Sequence, residues 1–315
     1  MTALRGATVL MTGAGGFVGP HLARALAAAG ARVHGLGLGA PPRATPIESW
    51  QELDLADTAG LGDAIASLSP AAIVHLAGQS SAARSFEAPD ETFRANVLGT
   101  WGLLDAVRTH APRARVIAVI TSEIYGPIAP GTRAAESTPF KPLSPYGFSK
   151  AAADQVAAAF AEAHGLDVVR ARPFGHTGPG QSPAFVIPGW AQQVAAIEAG
   201  QSEPILRVGN LEVTRDLSDV RDVAEGYCAL IEHGRTGAAY NLCRGEGAKL
   251  TDVLARITEL ATVPVRVEVD PARLRPADLP YLVGDPELTA SDCNWRATRP
   301  LDATLTDVLA EWRAQ

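Results

Sequence analysis

Short apolar, β-branched runs alternate along the chain with alanine-rich segments in which apolar residues recur at helical spacing. The apolar runs are ATVLMT (7–12), ARVHGL (31–36), AAIVHLA (71–77), ARVIAVIT (114–121) and LDVVRAR (166–172). Between the first two runs, the apolar positions of residues 17–29 fall on one face of a helix, and Gly30 supplies the stop. Because strands and helices alternate, the sequence predicts an α/β fold with a doubly wound parallel sheet covered by helices on both faces.

The alternation stops at the segment RPFGHTGPGQSPAFVIPG (172–189), which is too rich in proline and glycine to continue it. A chain of 315 residues is also long for one compact core. We therefore predict a first domain over residues 1–172, with residues 214–236 packing back on it. A smaller, mostly C-terminal α/β domain is expected from residues 173–213 and 237–315.

Composition and charge limit the partners that the protein can have. The net charge is −7 and lysine and arginine form no dense run, which argues against a nucleic-acid partner because phosphate binding depends on those residues. No apolar stretch approaches the about 20 residues that span a bilayer, and the N-terminus lacks the long apolar segment of a secretory signal. We therefore expect a cytoplasmic protein without a membrane partner. The cysteines and histidines show no metal-ligand spacing, so no metal site is predicted.

The segment TGAGGFVG (12–19) places glycines between the first predicted strand and the first predicted helix. Its spaced glycines are Gly13, Gly16 and Gly19, and Phe17 and Val18 complete the turn. Glycine leaves backbone N–H groups open to close approach, which the pyrophosphate of a dinucleotide needs at the positive end of a helix. The alternative is an ordinary tight turn, but the position at the start of a βαβ unit favours dinucleotide binding and hence a Rossmann-type sheet.

The residues after the second strand bear on which dinucleotide binds. An acid there would hydrogen-bond the adenosine ribose of NAD, whereas a basic residue suits the 2′-phosphate of NADP. The chain reads VHGLGLGAPPR (33–43) without an acid, which favours NADP, with NAD as the alternative. Arg43 is then either a phosphate partner or a solvated loop residue. Asp54, after a third short strand, can reach the adenine or cap a helix.

Tyr146 and Lys150 are four residues apart, a spacing that places both side chains on one face of a helix. An ammonium close to a phenol favours the phenolate and lowers its pKa from about 10, as a general acid for carbonyl reduction requires. Thr121 falls at the carboxyl end of a predicted strand, where ligands of doubly wound sheets bind, and its hydroxyl can bond a substrate oxygen. A tyrosine and a lysine at this spacing are common by chance, but with Thr121 and the glycine motif they indicate a reductase site.

With these motifs the chain resembles the extended short-chain dehydrogenase/reductases that act on nucleotide sugars. The segments that carry the resemblance are TGAGGFVG (12–19), IVHLAG (73–78), ANVLGT (95–100), TSEIYG (121–126), SPYGFSK (144–150) and RDLSDVRDVAEGY (215–227). The resemblance implies that Thr121, Tyr146 and Lys150 form a catalytic triad and that Asn96 supports the active site. It also implies that the second domain holds a nucleotide sugar, and that a homodimer forms on helices flanking the active site.

Within that family the chain is most similar to the GDP-4-keto-6-deoxy-D-mannose reductases that make GDP-D-rhamnose. The segments that carry this similarity are RPFGHTGPGQSPAFV (172–186), VGNLEVTRDLSDVRD (208–222), YNLCRGEG (240–247) and RLRPADLPYLVGD (273–285). The similarity implies that Ser80 touches the sugar and that Arg215 and Arg275 clamp the diphosphate, a bidentate task that suits arginine. The alternatives are a loop cap for Ser80 and surface ion pairs for the arginines. Further implied contacts are Leu55, Leu76 and Ala77 for the cofactor, and Ser81, Arg84, Glu123, Gly175, His176 and Val186 for the substrate.

Two positions leave other substrates or activities open. The reductases usually carry asparagine where this chain has Gly175, so the specificity can differ. Glu123 occupies the place of the glutamate that GDP-mannose 4,6-dehydratases add to the triad to remove the C5 proton. The reductases often carry a glutamate there too, and the downstream segments favour a reductase. The alternatives are a 4,6-dehydratase, a 4-epimerase, and a non-catalytic dinucleotide-binding sensor, which would typically have lost Tyr146 or Lys150.

Overall fold

The structure, a computed structural model, describes residues 4–274 and 279–315. Its strands are β1 (Thr8–Thr12), β2 (Arg32–Gly37), β3 (Ser49–Glu52), β4 (Ala72–His75), β5 (Arg115–Val119), β6 (Val168–Pro173), β7 (Gly175–Thr177), β8 (Ile205–Val208), β9 (Thr214–Asp219), β10 (Ala239–Leu242), β11 (Gly247–Lys249), β12 (Arg266–Val269) and β13 (Tyr281–Leu282). Its α-helices are α1 (Val18–Ala28), α2 (Thr58–Leu68), α3 (Ala82–Glu87), α4 (Pro89–Phe93), α5 (Gly99–His110), α6 (Pro145–His164), α7 (Val186–Glu198), α8 (Val220–His233), α9 (Leu250–Glu259), α10 (Glu287–Cys293) and α11 (Leu301–Arg313). Short 3-10 turns lie at Ser122–Tyr125 and Pro271–Arg273, and a π-helical turn at Arg94–Leu98 joins α4 to α5. Among the described residues, no helix combines the length and the apolar character that crossing a membrane requires.

One parallel sheet organises the larger part of the molecule. Its strand order is β10-β6-β5-β4-β1-β2-β3. From β1 the chain adds β2 and β3 on one side and then β4, β5 and β6 on the other, so the strand order reverses between β1 and β4. Ligands of such sheets bind at the carboxyl edge beside this reversal. The predicted doubly wound sheet is confirmed, and each of the five predicted apolar runs forms one of its strands.

Helices cover both faces of this sheet because buried strands carry apolar side chains on each face. On one face, Leu10 and Val116 belong to a core shared with α2, α5 and α6. On the other face, Val9 packs in a core shared with α1 and α8. As predicted, α1 ends just before Gly30, whose φ of +85° lies in the left-handed region that favours glycine after a helix.

The remaining elements build a smaller α/β region. In it β9 pairs with antiparallel β11 and with parallel β13 and β7. Strands β8 and β12 form a separate parallel pair. Helices α7, α9 and α11 pack on these strands around a core that includes Trp190, Leu206, Ile257 and Leu309.

One strand departs from the predicted domain boundaries. The sequence assigns residues 237–315 to the smaller domain, whereas β10 pairs with β6 at the edge of the main sheet. Its residues are all buried, and Tyr240 and Leu242 belong to the core of the main sheet. So short a strand carries too little periodicity to be separated from its neighbours by pattern. Of the returning segment 214–236, α8 packs on α1 beside the main sheet, while β9 lies in the smaller sheet.

A buried ion cluster ties α6 to β6. The Asp154 carboxylate is fully buried and accepts from Arg172 Nε at 2.9 Å and from Arg170 Nη1 at 2.7 Å. Arg172 also donates to the hydroxyl of Tyr125, which donates to Asn241 Oδ1 in β10 at 2.7 Å. The cluster therefore joins the helix that carries the predicted tyrosine and lysine to two strands of the main sheet.

Candidate active site

The turn between β1 and α1 is built from glycine because backbone atoms crowd it. Gly13 has a φ of +67°, and a Cβ there would lie 2.6 Å from the backbone N of Ala77, in the loop after β4. A Cβ at Gly19 would overlap the carbonyl oxygen of Ala14. None of the described side chains caps the N-terminus of α1. The N–H of Gly19 donates to the carbonyl oxygen of Gly16 at 3.1 Å and Pro20 has no N–H, so Phe17 and Val18 carry the N–H groups that an anion such as a pyrophosphate can approach.

Phe17, in this glycine turn, joins the main sheet to the smaller region. Its ring stacks on the imidazole of His176 in β7, with centroids 6.0 Å apart and planes 7° from parallel. His176 Nδ1 donates to the carbonyl oxygen of Phe174 at 2.9 Å, and burial lowers the pKa of the imidazole, so the ring is neutral. On α1, His21 also donates to the carbonyl oxygen of Pro179 at 2.9 Å. A predicted cofactor contact and a predicted substrate contact are thus neighbours.

The end of β2 is covered by a side chain from the neighbouring strand. The Trp50 indole lies against Gly35 and Gly37, where an added Cβ would come within 2.8 Å of its ring. A Cβ at Gly15, in the glycine turn, would lie 3.3 Å from the same indole. Trp50 Nε1 donates to the carbonyl oxygen of Gly39 at 3.0 Å. The indole therefore lies close to both the glycine turn and the end of β2.

An acidic side chain reaches the same end of β2 from β3. Glu52 is the register partner of Gly37, and its Oε1 accepts from the backbone N–H of Gly39 at 3.1 Å. Arg43, the predicted partner of a 2′-phosphate, is exposed in the loop that follows β2. Residues 38–43, directly after β2, contain no acid, but the pairing of β3 with β2 brings the Glu52 carboxylate to the end of β2.

The segment after β3 carries the predicted adenine contacts. Asp54 is exposed, and its carboxylate accepts from the backbone N–H of Ala56 at 3.0 Å within a local turn. The helix cap considered for Asp54 is made instead by Asp57, whose carboxylate accepts from the N–H of Gly60 at 2.9 Å. Leu55 is half-buried and packs on the core. The second oxygen of Asp54 can accept from a ligand.

Asn96 fixes the loop that follows β4. Its Oδ1 accepts from the backbone N–H of Gln79 at 2.9 Å, and its Nδ2 donates to the carbonyl oxygen of the same residue at 3.0 Å. Nδ2 also donates to Ser149 Oγ at 2.8 Å, and Ser149 donates to the carbonyl oxygen of Tyr146. Asn96 lies in the π-helical turn, a local widening that is frequent at functional sites. The loop, which contains the half-buried Leu76 and Ala77, is thereby held against α6.

Thr121, Glu123 and Tyr146 lie together at the carboxyl edge beyond β5. The hydroxyls of Thr121 and Tyr146 are hydrogen-bonded, and Thr121 Oγ1 also accepts from the backbone N–H of Glu123 at 3.3 Å. Ser144 caps α6 and donates to Glu123 Oε2 at 3.3 Å. Both Thr121 and Tyr146 are buried. The structure thus brings these three predicted residues into one cluster at the N-terminus of α6.

Tyr146 is a weaker acid than the sequence predicts. Burial raises the pKa of its phenol above the ordinary value, the nearby Glu123 carboxylate raises it further, and the bond with Thr121 acts in the opposite direction. The predicted lowering by Lys150 is wrong here, because the Lys150 ammonium donates to the carbonyl oxygen of Val119 at 2.8 Å. Burial also lowers the pKa of Lys150 to about 8. The phenol therefore stays protonated throughout the neutral range.

The predicted sugar contacts in residues 80–84 lie at the start of α3. Ser80 is exposed, and Ser81 caps α3 by accepting from the backbone N–H of Arg84 at 3.2 Å. The Arg84 side chain is 62% exposed and pairs with Glu91 Oε2 at 3.0 Å. The capping role considered for Ser80 therefore belongs to Ser81, and Arg84 forms a surface ion pair.

The remaining predicted contacts lie in the smaller region. Arg215, in β9, donates to the carbonyl oxygen of Thr214 at 3.0 Å and to that of Leu279. Val186 is the first residue of α7 and is 37% exposed. Arg275 lies outside the described residues. Of the two arginines predicted to bind the diphosphate, Arg215 is therefore the one that lies among the described residues.

Position 175 is glycine because β7 runs close to β9. Gly175 pairs with Leu217, and a Cβ there would lie 2.7 Å from the carbonyl oxygen of Asp216. The asparagine that is usual in the reductases would have to displace β9. The Asp216 carboxylate itself is buried, accepts from the backbone N–H groups of Arg244 and Gly245, and has its pKa raised to about 6 by burial. Displacing β9 would therefore disturb a buried hydrogen-bonded acid as well.

Sequence patterns do not identify Trp50, Glu52, Gln79 or Ser149 at this edge. Trp50 and Glu52 reach the end of β2 because β3 pairs with β2. The register of this pairing cannot be predicted, because a strand as short as β3 has too few residues to show a pattern. Asn96 bonds the backbone of Gln79, and any residue type could make these backbone bonds, so the sequence gives no signal for this position. Ser149 had a usable signal, because it lies three residues after Tyr146 and so one helical turn along α6.

Comparison with known proteins agrees with this fold. The family model described as GDP-mannose 4,6 dehydratase matches residues 10–308. The GDP-6-deoxy-D-mannose reductase of Pseudomonas aeruginosa is 32% identical over 98% of this chain and 97% of its own length. Among solved structures, RMD from Pseudomonas aeruginosa complexed with NADPH has a TM-score of 0.86 at 31% identity, covering 98% of this chain and 99% of that one. The Thermus thermophilus UDP-glucose 4-epimerase complexed with NAD has a TM-score of 0.87 at 29% identity, covering 97% and 99%.

Proposed function

Because this chain belongs to the GDP-mannose 4,6 dehydratase family of the extended short-chain dehydrogenase/reductases, we propose that it reduces the C4 ketone of a nucleotide-linked 4-keto-6-deoxyhexose. In this proposal the substrate is GDP-4-keto-6-deoxy-D-mannose, the product is GDP-D-rhamnose, and the reductant is NADPH, with NADH as the alternative. The observation that carries the proposal is the buried, hydrogen-bonded pair of hydroxyls from Thr121 and Tyr146 at the carboxyl edge of the sheet. The full-length similarity to a GDP-6-deoxy-D-mannose reductase supports the choice of substrate.

The residues at this edge fit a nicotinamide dinucleotide. The crowded glycine turn and the uncapped N-terminus of α1 would hold its pyrophosphate. Asp54 and Leu55 would contact the adenine, and the loop of Leu76 and Ala77, fixed by Asn96, would line the nicotinamide side. When bound in reduced form, the dinucleotide supplies the hydride that C4 receives.

Tyr146 donates the proton that the C4 oxygen needs as the carbonyl becomes an alkoxide. Burial and the Glu123 carboxylate keep the phenol protonated, so it starts each turnover as the acid. Thr121, bonded to Tyr146, can donate to the same oxygen and stabilise its developing negative charge. Lys150 supplies a positive charge one helical turn further along α6, where it would bond the ribose of the dinucleotide.

We predict that kcat/KM for the reduced dinucleotide falls as the pH rises through about 8. Burial lowers the pKa of Lys150 to about 8, so its positive charge is present below that pH and is lost above it. The phenol of Tyr146 titrates at higher pH, so it cannot cause this fall of kcat/KM around pH 8. The same shift makes the free energy of unfolding rise with pH between about 8 and the ordinary lysine value of 10.5, because only the unfolded chain keeps that proton.

A pH profile of kcat/KM for the wild type and for Lys150→Arg tests this assignment. The free-enzyme pKa appears in that parameter, and an arginine stays charged up to about pH 12. In Lys150→Arg, the kcat/KM that remains should therefore show no fall around pH 8. A wild-type profile that is flat up to about pH 10, well above the Lys150 pKa, would contradict the assignment.

The smaller region is proposed to bind the nucleotide sugar. Arg215, and by resemblance Arg275, would bind the diphosphate, because a guanidinium matches phosphate oxygens bidentately. Ser80 and Ser81 would contact the hexose from the loop after β4, and His176 and Val186 would contact the substrate from the smaller region. Gly175 offers backbone only, so a contact near the substrate phosphate or sugar, implied for asparagine by the resemblance to the reductases, has no side-chain counterpart at this position.

A second candidate function is a nucleotide-sugar 4,6-dehydratase. It is favoured by the position of Glu123, whose carboxylate is close enough to Tyr146 to raise the pKa of the phenol. A glutamate beside the tyrosine could remove the C5 proton and help to expel the C6 hydroxyl of a hexose. The description of the matching family model also favours this reading. A 4-epimerase is the remaining catalytic alternative.

The proposed reductase and the alternative dehydratase differ in their substrates, because only the reductase consumes a reduced dinucleotide. We expect loss of the reduced-nicotinamide absorbance when the purified protein receives NADPH or NADH and GDP-4-keto-6-deoxy-D-mannose, which a separate dehydratase makes from GDP-mannose. GDP-mannose alone should give no change. Conversion of GDP-mannose by this protein without added reductant would instead identify a dehydratase and contradict the reductase proposal.

We also propose a homodimer formed on α6 and the helices beside it. Helices α3, α4 and α5 pack against α6, and these four helices, with the segment just before α6, expose large apolar side chains. They are Phe86, Phe93, Trp101, Leu143 and Phe148. Clusters of exposed apolar side chains mark interaction surfaces, and this surface coincides with the one that family resemblance predicts.

Phe148→Glu is expected to convert the dimer to a monomer, because Phe148 is 60% exposed in α6 and a buried charge at the interface would lack a partner. Size-exclusion chromatography with light scattering gives the molar mass directly. Val269→Glu is the matched control, since Val269 is also 60% exposed but lies on β12 in the smaller region. A wild-type mass equal to one chain would contradict the dimer, and so would a monomer formed equally by both variants.

A further inference from the structure

A carboxylate lies at the end of β2, although residues 38–43, directly after β2, contain no acid. It belongs to Glu52, the last residue of β3, whose Oε1 accepts from the backbone N–H of Gly39 at 3.1 Å. In Rossmann-type sheets an acid at the end of β2 accepts from the adenosine ribose of the dinucleotide. The parallel pairing of β2 with β3, in register Gly37 to Glu52, delivers a carboxylate to the same place from the adjacent strand.

Trp50 explains why the acid comes from β3. Positions 50 and 52 share one face of the strand because side chains alternate, and the Trp50 indole covers Gly35 and Gly37 on that face. A Cβ at Gly37 would lie 2.8 Å from the indole, so a side chain at this position would have to displace Trp50. The same indole approaches Gly15 in the glycine turn, which sets Glu52 beside the predicted path of the dinucleotide.

The Glu52 carboxylate has acceptor capacity left for a ligand. A carboxylate offers two oxygens and about four lone-pair sites, and the backbone bond to Gly39 is made by one oxygen. The side chain is exposed, so a ligand at the carboxyl edge can reach it. A ribose hydroxyl is a donor to such a group, whereas a 2′-phosphate would bring further negative charge against it.

We infer that Glu52 discriminates between the two nicotinamide dinucleotides by accepting a hydrogen bond from the adenosine 2′-hydroxyl and repelling a 2′-phosphate. The inference rests on the proposed function, since it requires a dinucleotide to lie along the glycine turn. Glu52 takes the part that an acid at the end of β2 plays in other sheets of this type. It opposes the exposed Arg43, which attracts a 2′-phosphate.

The affinities of NADH and NADPH, measured by nicotinamide fluorescence without a sugar substrate, test this inference. Glu52→Gln keeps the size and an acceptor oxygen of the side chain and removes its charge. We expect the Kd for NADPH divided by the Kd for NADH to fall about tenfold, the scale of one like-charge contact in partly hydrated surroundings. Glu52→Ala should in addition weaken NADH, because the 2′-hydroxyl loses its acceptor. A purely structural role of Glu52 would change both affinities alike and leave their ratio unmoved.

Glu48→Gln is the matched control. It removes the same charge from the residue before β3, where Glu48 lies 3.9 Å from His34, and it should leave the ratio unchanged. An unchanged ratio in Glu52→Gln, with both dinucleotides still bound, overturns the inference and leaves the reductase proposal standing. An equal fall in Glu48→Gln also overturns it, since a general charge effect would then explain the result. A wild-type protein that binds neither dinucleotide overturns the proposed function and the inference together.

Discussion

Tyr146→Phe is expected to lower kcat for ketone reduction by about 10²- to 10⁴-fold, the usual contribution of a positioned general acid. The effect should fall on kcat, because the substitution removes the proton donor and keeps the aromatic ring that fills the site. Tyr146 is buried and bonded to Thr121, so water has no ready path to replace its hydroxyl. The affinity for the reduced dinucleotide, measured by fluorescence, should remain close to that of the wild type.

Tyr227→Phe is the matched control for this variant. Tyr227 is also a fully buried tyrosine, and its hydroxyl has no hydrogen-bond partner within the part of the chain that the structure describes. Removing that hydroxyl deletes no bond, so both kcat and stability should be retained. Full turnover by Tyr146→Phe would contradict the assignment, because the C4 oxygen would then receive its proton from another group.

Asp154→Ala is expected to lower the free energy of unfolding by about 3–5 kcal/mol, the typical loss when one member of a buried ion pair is removed. The Asp154 side chain is fully buried, and the Arg172 guanidinium that it binds is 4% exposed. Arg170, 15% exposed, would also lose its partner. Two positive charges would then remain in the interior without the carboxylate. Urea unfolding followed by circular dichroism measures the loss.

Asp105→Ala controls for the removal of an ion pair at the surface. Asp105 pairs with Arg108 at 2.8 Å, but the two side chains are 51% and 46% exposed. Exposed pairs of this kind contribute about 0–1 kcal/mol because water screens them. If Asp154→Ala destabilises no more than Asp105→Ala, the buried cluster does not hold α6 in place. Folded Asp154→Ala at low temperature should keep most of its kcat, because the described hydrogen bonds of the Asp154 carboxylate join it to Arg170 and Arg172 and not to Tyr146 or Lys150.

The order of strands and helices could be predicted because each strand of the main sheet except the edges is a buried apolar run. Those runs bury side chains on both faces, and the glycine turn between β1 and α1 marks where the order reverses. Strand β10 escaped prediction because a short edge strand gains its place from pairing with β6, a contact between distant parts of the chain. The spacing of apolar residues along the sequence predicts local helices and strands, whereas the pairing of distant strands depends on the whole fold.

The candidate site likewise has features that local sequence spacing predicts and features that depend on the whole fold. Tyr146 and Lys150 share a helix, so their spacing alone predicted that they lie on one face. Their ionisation could not be predicted from spacing, because burial dominates both pKa values and the Lys150 ammonium is bonded to Val119 rather than aimed at the phenol. Glu52 was missed for a related reason, since its carboxylate reaches the end of β2 through strand register.

Glu123 remains the residue on which the choice between reductase and dehydratase depends. In a reductase it keeps Tyr146 protonated, so Glu123→Gln should leave ketone reduction largely intact. In a dehydratase it is the base for the C5 proton, and the same variant should lose most of its activity. Its bond from Ser144 fixes the carboxylate beside the tyrosine in either case.

The position of the transferred hydrogen tests the reductase assignment most directly. The protein is given GDP-4-keto-6-deoxy-D-mannose and reduced dinucleotide deuterated at C4 of the nicotinamide ring, and the sugar product is analysed by mass spectrometry and NMR. We predict one deuterium, at C4 of the product hexose, when the transferred face of the ring is labelled. In a parallel reaction the protein is given GDP-mannose without reduced dinucleotide. No deuterium in the product of the first reaction, together with turnover of GDP-mannose that moves hydrogen from C4 to C6 within the sugar in the second, would contradict the reductase and identify a dehydratase.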